Sequence, residues 1–345
     1  MQQGHRKIPR DADLDARFCH RKIARTAIFL AVCAVVGCSH DRHPTPPASS
    51  KTAAPERTPR TVEVETPREL ETVAPFHANL GRGAELYLPP WFTAKKGGYD
   101  LIVHFHGENR WQVANIERSR LNVAVVSVNL GAGTEPYSKA FKRPESFDRL
   151  LADAHAEIVR SGRAQGRGGE APQLRRLALS AWSAGFSSVS RVMTDAVVQR
   201  VDAVLLADGF FTNFTNAKKR TVNARALEKW VKYADDARHD EKLFAITHTT
   251  IPTGPYPSVQ ECVAKLLEML QLPKTPAVTT GPRDMHQFYL VDQGSFHIRG
   301  FEGTRAKDHV KQLHAMGETM YPWLKSRWDN QDAEEAAAAK TASTR

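Results

Sequence analysis

The sequence predicts an α/β domain built on a mostly parallel sheet with helices on both faces. Two observations carry this. From about residue 75, near-continuous apolar runs of strand length alternate with segments of helical period. Strands buried on both faces read as such unbroken runs, because helices cover each side. A third observation sets the number of cores. No linker-like composition interrupts the roughly 255 residues of 71–328, and a chain of that length fits one large core.

The elements follow in order. AELYLP (84–89) is a short strand, YDLIVHF (99–105) a strand with a central apolar run, and LNVAVVSVNL (121–130) a valine-rich one. PESFDRLLADAHAEIVR (144–160) is a helix opened by Pro144 and closed near Gly162. Residues 163–172 (RAQGRGGEAP) read as a surface loop. QLRRLALSAW (173–182) is a strand and AGFSSVSRVMTDAVVQ (184–199) a helix. The pairs VDAVLLAD (201–208) with VNARALEKWVKYADD (222–236), and KLFAITHT (242–249) with SVQECVAKLLEMLQL (258–272), repeat the strand-helix alternation. HQFYLVDQG and SFHIRGF (286–301) make a final strand or hairpin, and KDHVKQLHAM (307–316) begins the last helical region. The polar tail 329–345 is expected to be disordered.

The front of the chain is different. A basic stretch at 17–25 (RFCHRKIAR) precedes an uncharged apolar run, Thr26 to Val36, closed by Val35-Val36-Gly37-Cys38. A basic region, an apolar core near a dozen residues and a small residue before the break describe a secretory signal peptide over 1–37, too short to span a bilayer comfortably. The terminal VVGC resembles the lipobox of bacterial lipoproteins. That resemblance implies that Cys38 becomes the acylated first residue of the mature chain, anchored to the membrane of a bacterial cell envelope; plain secretion is the alternative. The pattern departs from the family at Val35, where leucine is commoner, and in about sixteen residues ahead of the basic stretch. Residues 38–70 then form a Pro-, Ser- and Thr-rich tether, expected to be disordered.

Cysteine usage agrees. Cys19, Cys33 and Cys38 lie in or at the end of the leader, which leaves Cys262 alone in the body, without an intramolecular partner for a disulfide. In its apolar helical setting Cys262 reads as a small core residue. The formal charge of +10 falls to about +6 once the seven basic and three acidic residues of 1–37 are removed. No basic stretch is interleaved with aromatics, so nucleic acid is not an expected partner. No cofactor is called for.

Two stretches carry chemistry. In LIVHFHGENR (101–110) a strand ends in His-Phe-His-Gly. His104 and His106, two apart, face one side of an ideal strand. They read either as metal ligands, the reading of a metal-dependent hydrolase, or as residues shaping a pocket beside backbone N–H donors at Gly107 and Glu108. The expected metal set is none, because no further His, Asp or Glu falls in a ligand spacing. In the second stretch the strand 173–182 runs into SAWSAGF. A serine on a sharp strand-to-helix turn needs small neighbours, and the helix N-terminus beyond it favours developing negative charge. Capping by Ser180 or Ser183 is the plain alternative.

Together these stretches resemble the alpha/beta-hydrolase family over roughly 75–328. Ala181-Trp182-Ser183-Ala184-Gly185 matches its small-x-nucleophile-x-small elbow, and His106-Gly107 its oxyanion loop. The resemblance implies the order nucleophile, acid, histidine, and a serine hydrolase acting on a small-molecule ester. The nucleophile is then Ser183. The acid is Asp208, after the strand that follows the elbow helix; the commoner family position carries THTTIPTGPYPS, with no carboxylate before Glu261. For the base, His309 and His314 compete, and His309 is favoured as nearer the loop. Gly107, Glu108 and the Ala184 N–H are the oxyanion donors; His104, His106 and Trp182 line the pocket, joined by His248 and by Phe210, Phe211, Phe214 and Tyr256. His297 reads as structural. A non-catalytic surface lipoprotein on the same fold is a further alternative.

Overall fold

In the computed structural model, residues 73–164 and 171–343 are described. The leader, Cys38 and the tether (residues 1–72) lie outside these residues, as does most of the glycine-rich loop. The described residues belong to one compact unit.

The sheet opens with an antiparallel hairpin, β1 (Phe76–Gly81) and β2 (Ala84–Leu88), followed by β3 (Gly98–Phe105), helix α1 (Asn109–Ser119) and β4 (Ala124–Val128). Helices α2 (Glu135–Ala140) and α3 (Glu145–Arg160) lead to β5 (Gln173–Trp182). After β5 come a short 3-10 turn, α4 (Phe186–Val192), α5 (Asp195–Arg200) and β6 (Val201–Ala207). A small hairpin, β7 (Phe214–Asn216) and β8 (Thr221–Val222), precedes α6 (Glu228–Arg238), β9 (Leu243–His248) and α7 (Val259–Leu270). The chain closes with β10 (Thr275–Gly281), β11 (Met285–Gln293), β12 (Phe296–Phe301), and helices α8 (Ala306–His314), α9 (Met316–Thr319) and α10 (Tyr321–Ser343).

The ten-stranded sheet has the order β1-β2-β4-β3-β5-β6-β9-β12-β11-β10. β4, β3, β5, β6, β9 and β12 run parallel, while β2 pairs antiparallel with β4 and the hairpin strands β11 and β10 extend the far edge. A parallel run with helices on both faces and a strand-turn-helix elbow at its centre is the alpha/beta-hydrolase fold. Side chains alternate between two cores. Leu101, Val103 and Phe105 enter the face covered by α3, α4, α6 and α7. Ile102 enters the face covered by α1, α9 and α10, together with Ile116, Met316, Leu324 and Trp328. This alternation explains why β3, β5 and β6 carry long apolar runs. Cys262 is buried in the first core.

Several elements differ from expectation: strands β1, β7, β8 and β10 and helices α1 and α2 lie in stretches that the sequence left unassigned. The helix expected over 184–199 is two, because Thr194 adopts an extended conformation (φ −80, ψ 166) and starts α5 anew. Helix α1 has few apolar residues, since its buried face is made by Gln112 and Asn115 beside Ile116. Asn115 ties α1 to the C-terminal region, donating to the Leu313 carbonyl at 2.8 Å and accepting from the Gly317 N–H at 3.0 Å. The tail expected to be disordered from 329 is instead helical as far as Ser343. Its first turns are held by charge: Asp332 pairs with Lys95 at 2.6 Å and Arg175 at 2.5 Å, and the Trp328 carbonyl accepts from buried Arg176.

Candidate active site

Strand β5 delivers Ser183 at its carboxyl end. Ser183 sits in the left-handed region (φ +50), conformationally costly for a residue with a Cβ, and the chain turns at once into helix. Two glycines permit the turn. A Cβ on Gly185 would lie 2.0 Å from the Phe105 carbonyl oxygen and 2.9 Å from the His106 Cβ. A Cβ on Gly209 would lie 2.7 Å from the Ser183 nitrogen. The small residue two after the serine is therefore demanded by the neighbouring loop after β3, and the Ser183 backbone demands a second, Gly209, in the chain after β6.

Asp208 follows β6, also left-handed (φ +45), with its N–H on the Thr247 carbonyl at 2.7 Å. The carboxylate is 5% exposed. Its Oδ1 accepts the Thr249 N–H at 3.0 Å, and its Oδ2 accepts the Thr249 hydroxyl at 2.6 Å. His309, in the second turn of α8, meets the same Oδ2 through Nδ1 at 2.7 Å. A carboxylate only accepts, so Nδ1 carries a proton in this contact. Trp182 holds this histidine twice: its indole N–H donates to the His309 carbonyl at 3.0 Å, and the rings lie 4.7 Å apart.

Ser183, Ala184, Asp208, His309 and His106 all line one cavity of about 820 Å³. Its remaining walls come from Ala132, Gly133 and Thr134 after β4, Phe211 and Thr212 after Asp208, Ile251, Thr253, Tyr256, Pro257 and Val259 after β9, and Ala306 at the start of α8. Among the described residues, no lysine or arginine lines it.

The other expected residues fall elsewhere. Strand β3 ends at Phe105, and His106 is left-handed (φ +77). The two histidines therefore do not share a surface. His106 turns to the cavity, where it stacks on Trp182 at 4.8 Å and bonds Tyr137 through Nδ1 at 2.7 Å. Burial and the nearby His309 lower its pKa to about 4. His104 does not line the cavity; it is fully buried under α1. Its two ring nitrogens are engaged by Ser180 Oγ and the His106 carbonyl, each at 2.7 Å, which leaves neither for a metal. Among the described residues, no group of three or more His, Cys, Asp or Glu is placed to hold a metal ion. Gly107 and Glu108, next in the chain after His106, do not themselves line the cavity; Gly107 faces the Leu313 side chain, and the exposed Glu108 carboxylate pairs with Arg110 at 2.7 Å. Trp182 lies behind the cavity as a support. His314 stacks on Trp111 at 3.6 Å, away from Asp208. His248 is fully buried, between Tyr289 Oη at 2.6 Å and the Thr249 carbonyl at 2.8 Å. Phe210 belongs to the core against Phe186 and Trp230, and Phe214 packs under Arg220 in the β7–β8 hairpin; only Phe211 and Tyr256 of the four aromatics reach the cavity. His297 pairs with Asp292 at 2.7 Å and stacks on Trp323.

Sequence reasoning missed Thr249 and Tyr137. Thr249 stands after β9, the strand end where the family commonly carries its acid, and there it donates twice to Asp208 instead. That position lacked a carboxylate in the sequence, and a hydroxyl at a strand end was the available signal. Glu261, the next carboxylate, is occupied as the capping partner of Ser258 at the start of α7 and pairs with Arg220 at 2.7 Å.

No family model and no curated protein matches the chain. Solved structures align with it at low identity. A poly(3-hydroxybutyrate) depolymerase from Bordetella parapertussis is 13% identical over 71% of this chain and 89% of its own, with a TM-score of 0.39. A feruloyl esterase module from Clostridium thermocellum is 12% identical over 72% and 88%, with a TM-score of 0.42. A carboxylesterase from Bacillus subtilis is 10% identical over 74% and 89%, with a TM-score of 0.35. The strand order and the elbow, rather than these alignments, make this chain an alpha/beta-hydrolase fold.

Proposed function

We propose that the chain is a serine hydrolase of carboxylic esters, held at a bacterial cell envelope by an acylated Cys38. The observation that carries the catalytic reading is the Asp208–His309 pair, 2.7 Å apart, facing a cavity that a left-handed Ser183 also lines.

Ser183 Oγ attacks the ester carbonyl carbon as its proton passes to His309 Nε2. Asp208 holds the imidazole in the Nδ1–H tautomer and stabilises the cation that forms. The carbonyl oxygen, now negative, is bound by the N–H of Ala184 and one from Gly107 or Glu108. The first N–H groups of a helix have no intrahelical acceptor, and such a donor contributes about 3 kcal/mol to the transition state. Collapse expels the alcohol, which takes the proton from His309. Water, deprotonated by the same nitrogen, then releases the acid from Ser183. Phe211, Ile251, Tyr256 and Val259 suit an apolar or aromatic acyl group.

The test is fluorophosphonate labelling of residues 70–345 as wild type and as Ser183→Ala, His309→Ala and His314→Ala. Labelling lost in the first two and kept in the third supports the reading; a folded wild type that stays unlabelled refutes it. The anchor is tested separately, by incorporation of a palmitate analogue into the full chain and its loss in Cys38→Ser.

A further inference from the structure

His104 is a buried polar group that the mechanism above leaves without a task. Its Nε2 stands 2.7 Å from the His106 carbonyl oxygen. That oxygen only accepts, so Nε2 carries the proton, and Nδ1 accepts from the Ser180 hydroxyl at 2.7 Å. The Gln112 amide oxygen accepts from the Tyr321 hydroxyl; its nitrogen, 3.1 Å from the same Nε2, only donates and so makes no hydrogen bond to that nitrogen while it is protonated. Full burial keeps the ring neutral, with its pKa pushed down to about 3.

The segment it touches is strained. His106 has φ +77 and Gly107 φ +105, a backbone that a side-chain-bearing residue keeps only when its surroundings hold it. The His106 N–H is tied to the Val128 carbonyl at 2.8 Å, and the carbonyl to His104. Across a trans peptide the C=O and the next N–H point in opposite directions. With the His106 carbonyl turned down onto His104, the Gly107 N–H is directed away from that buried ring. The elbow glycine, Gly185, packs against Phe105 and His106, the two residues that lead into this loop. Among the described residues, no acceptor is bonded to the N–H of Gly107 or of Glu108.

We propose that His104 is a positioning residue: its hydrogen bond to the His106 carbonyl sets the plane of the 106–107 peptide and so aims the N–H groups of the Gly107–Glu108 loop at the oxyanion formed on Ser183. The inference rests on the serine-hydrolase reading. It gives the two histidines of His-Phe-His-Gly different tasks, one in the cavity wall and one beneath the loop.

The experiment compares wild type, His104→Leu and His104→Gln on 4-nitrophenyl butyrate, with fluorophosphonate labelling and thermal unfolding alongside. Misplaced donors slow chemistry far more than binding, and displacement of catalytic groups by an ångström costs about 100-fold. His104→Leu is expected to lose about 100-fold in kcat with KM within threefold and the pH profile unshifted. His104→Gln, which keeps an N–H donor, is expected to regain about tenfold. A folded, active His104→Leu with kcat within threefold of wild type overturns the proposal, as do equal losses in both variants accompanied by a raised KM. If His104→Leu does not fold, the wild type decides through its imidazole nitrogen shifts: a proton on Nε2 supports the proposal, and a proton on Nδ1 overturns it. A wild type neither labelled nor active overturns the hydrolase reading and this inference with it, whereas an active wild type beside an unaffected His104→Leu overturns the inference alone.

Discussion

Replacing Asp208 by asparagine separates the tautomer argument from fold stability. Oδ1 accepts the Thr249 N–H, which only donates, so the asparagine oxygen must take that position. The amide nitrogen then replaces Oδ2, facing His309 Nδ1 at 2.7 Å and the Thr249 hydroxyl, which can accept. An N–H pointed at Nδ1 forces the ring proton onto Nε2, and a protonated Nε2 cannot take the Ser183 proton. If the proposed triad operates, carboxamide replacement lowers kcat about 10⁴-fold, about 5.5 kcal/mol of activation free energy. Stability should change little, since each polar atom retains a partner. Asp208→Ala, by contrast, leaves the buried Thr249 N–H without an acceptor, at about 1–3 kcal/mol. The assay is kcat on 4-nitrophenyl butyrate with urea unfolding of the same samples. An Asp208→Asn enzyme within tenfold of wild-type kcat would refute the assignment of Asp208 as the acid.

Other outcomes follow from the same geometry. Gly185→Ala puts a Cβ 2.0 Å from the Phe105 carbonyl; it should abolish labelling and lower Tm by more than about 5 °C, since overpacking against backbone costs about 1–3 kcal/mol or more, and a labelled, equally stable variant would contradict this. Acid should weaken the fold through His104. Its folded pKa is about 3 against an unfolded value near 6.5, so the unfolded state binds the extra proton as pH falls below 6.5, and stability drops by about 1.4 kcal/mol per pH unit from this group. Urea midpoints at pH 7 and 5 should therefore differ less in His104→Gln than in wild type, and an unchanged slope would refute the claim that the ring is buried neutral. Deleting residues 331–345 removes Asp332 from Lys95 and Arg175 and should cost about 2 kcal/mol; deleting 336–345, which keeps Asp332, should cost less, and equal effects would argue against a structural role for Asp332.

Much of the architecture was legible along the chain because central parallel strands must be apolar on both faces. β5 at 173–182 matches its sequence reading end to end, and β3, β6 and β9 fall within a residue or so. Elements built on other principles were silent. Helix α1 buries amides, so its apolar periodicity is faint. Helix α10 owes its first turns after Trp328 to ion pairs with Lys95 and Arg175, residues more than a hundred positions away in sequence. Strand β10, at the sheet edge with Val278 exposed, has no core face to mark it.

The candidate site divides the same way. Local sequence alone determined that a serine would stand at a strand-to-helix turn between small residues, that a His-Gly would close β3, and that an aspartate would end β6, because each of these is a demand of backbone geometry at one strand end. Which histidine meets Asp208, which of His104 and His106 reaches the cavity, and which hydroxyl supports the carboxylate were decided only in three dimensions. A hydrogen bond depends on tenths of an ångström between residues such as Asp208 and His309, a hundred positions apart, and the left-handed turn at His106 reverses the side that strand periodicity would assign to it.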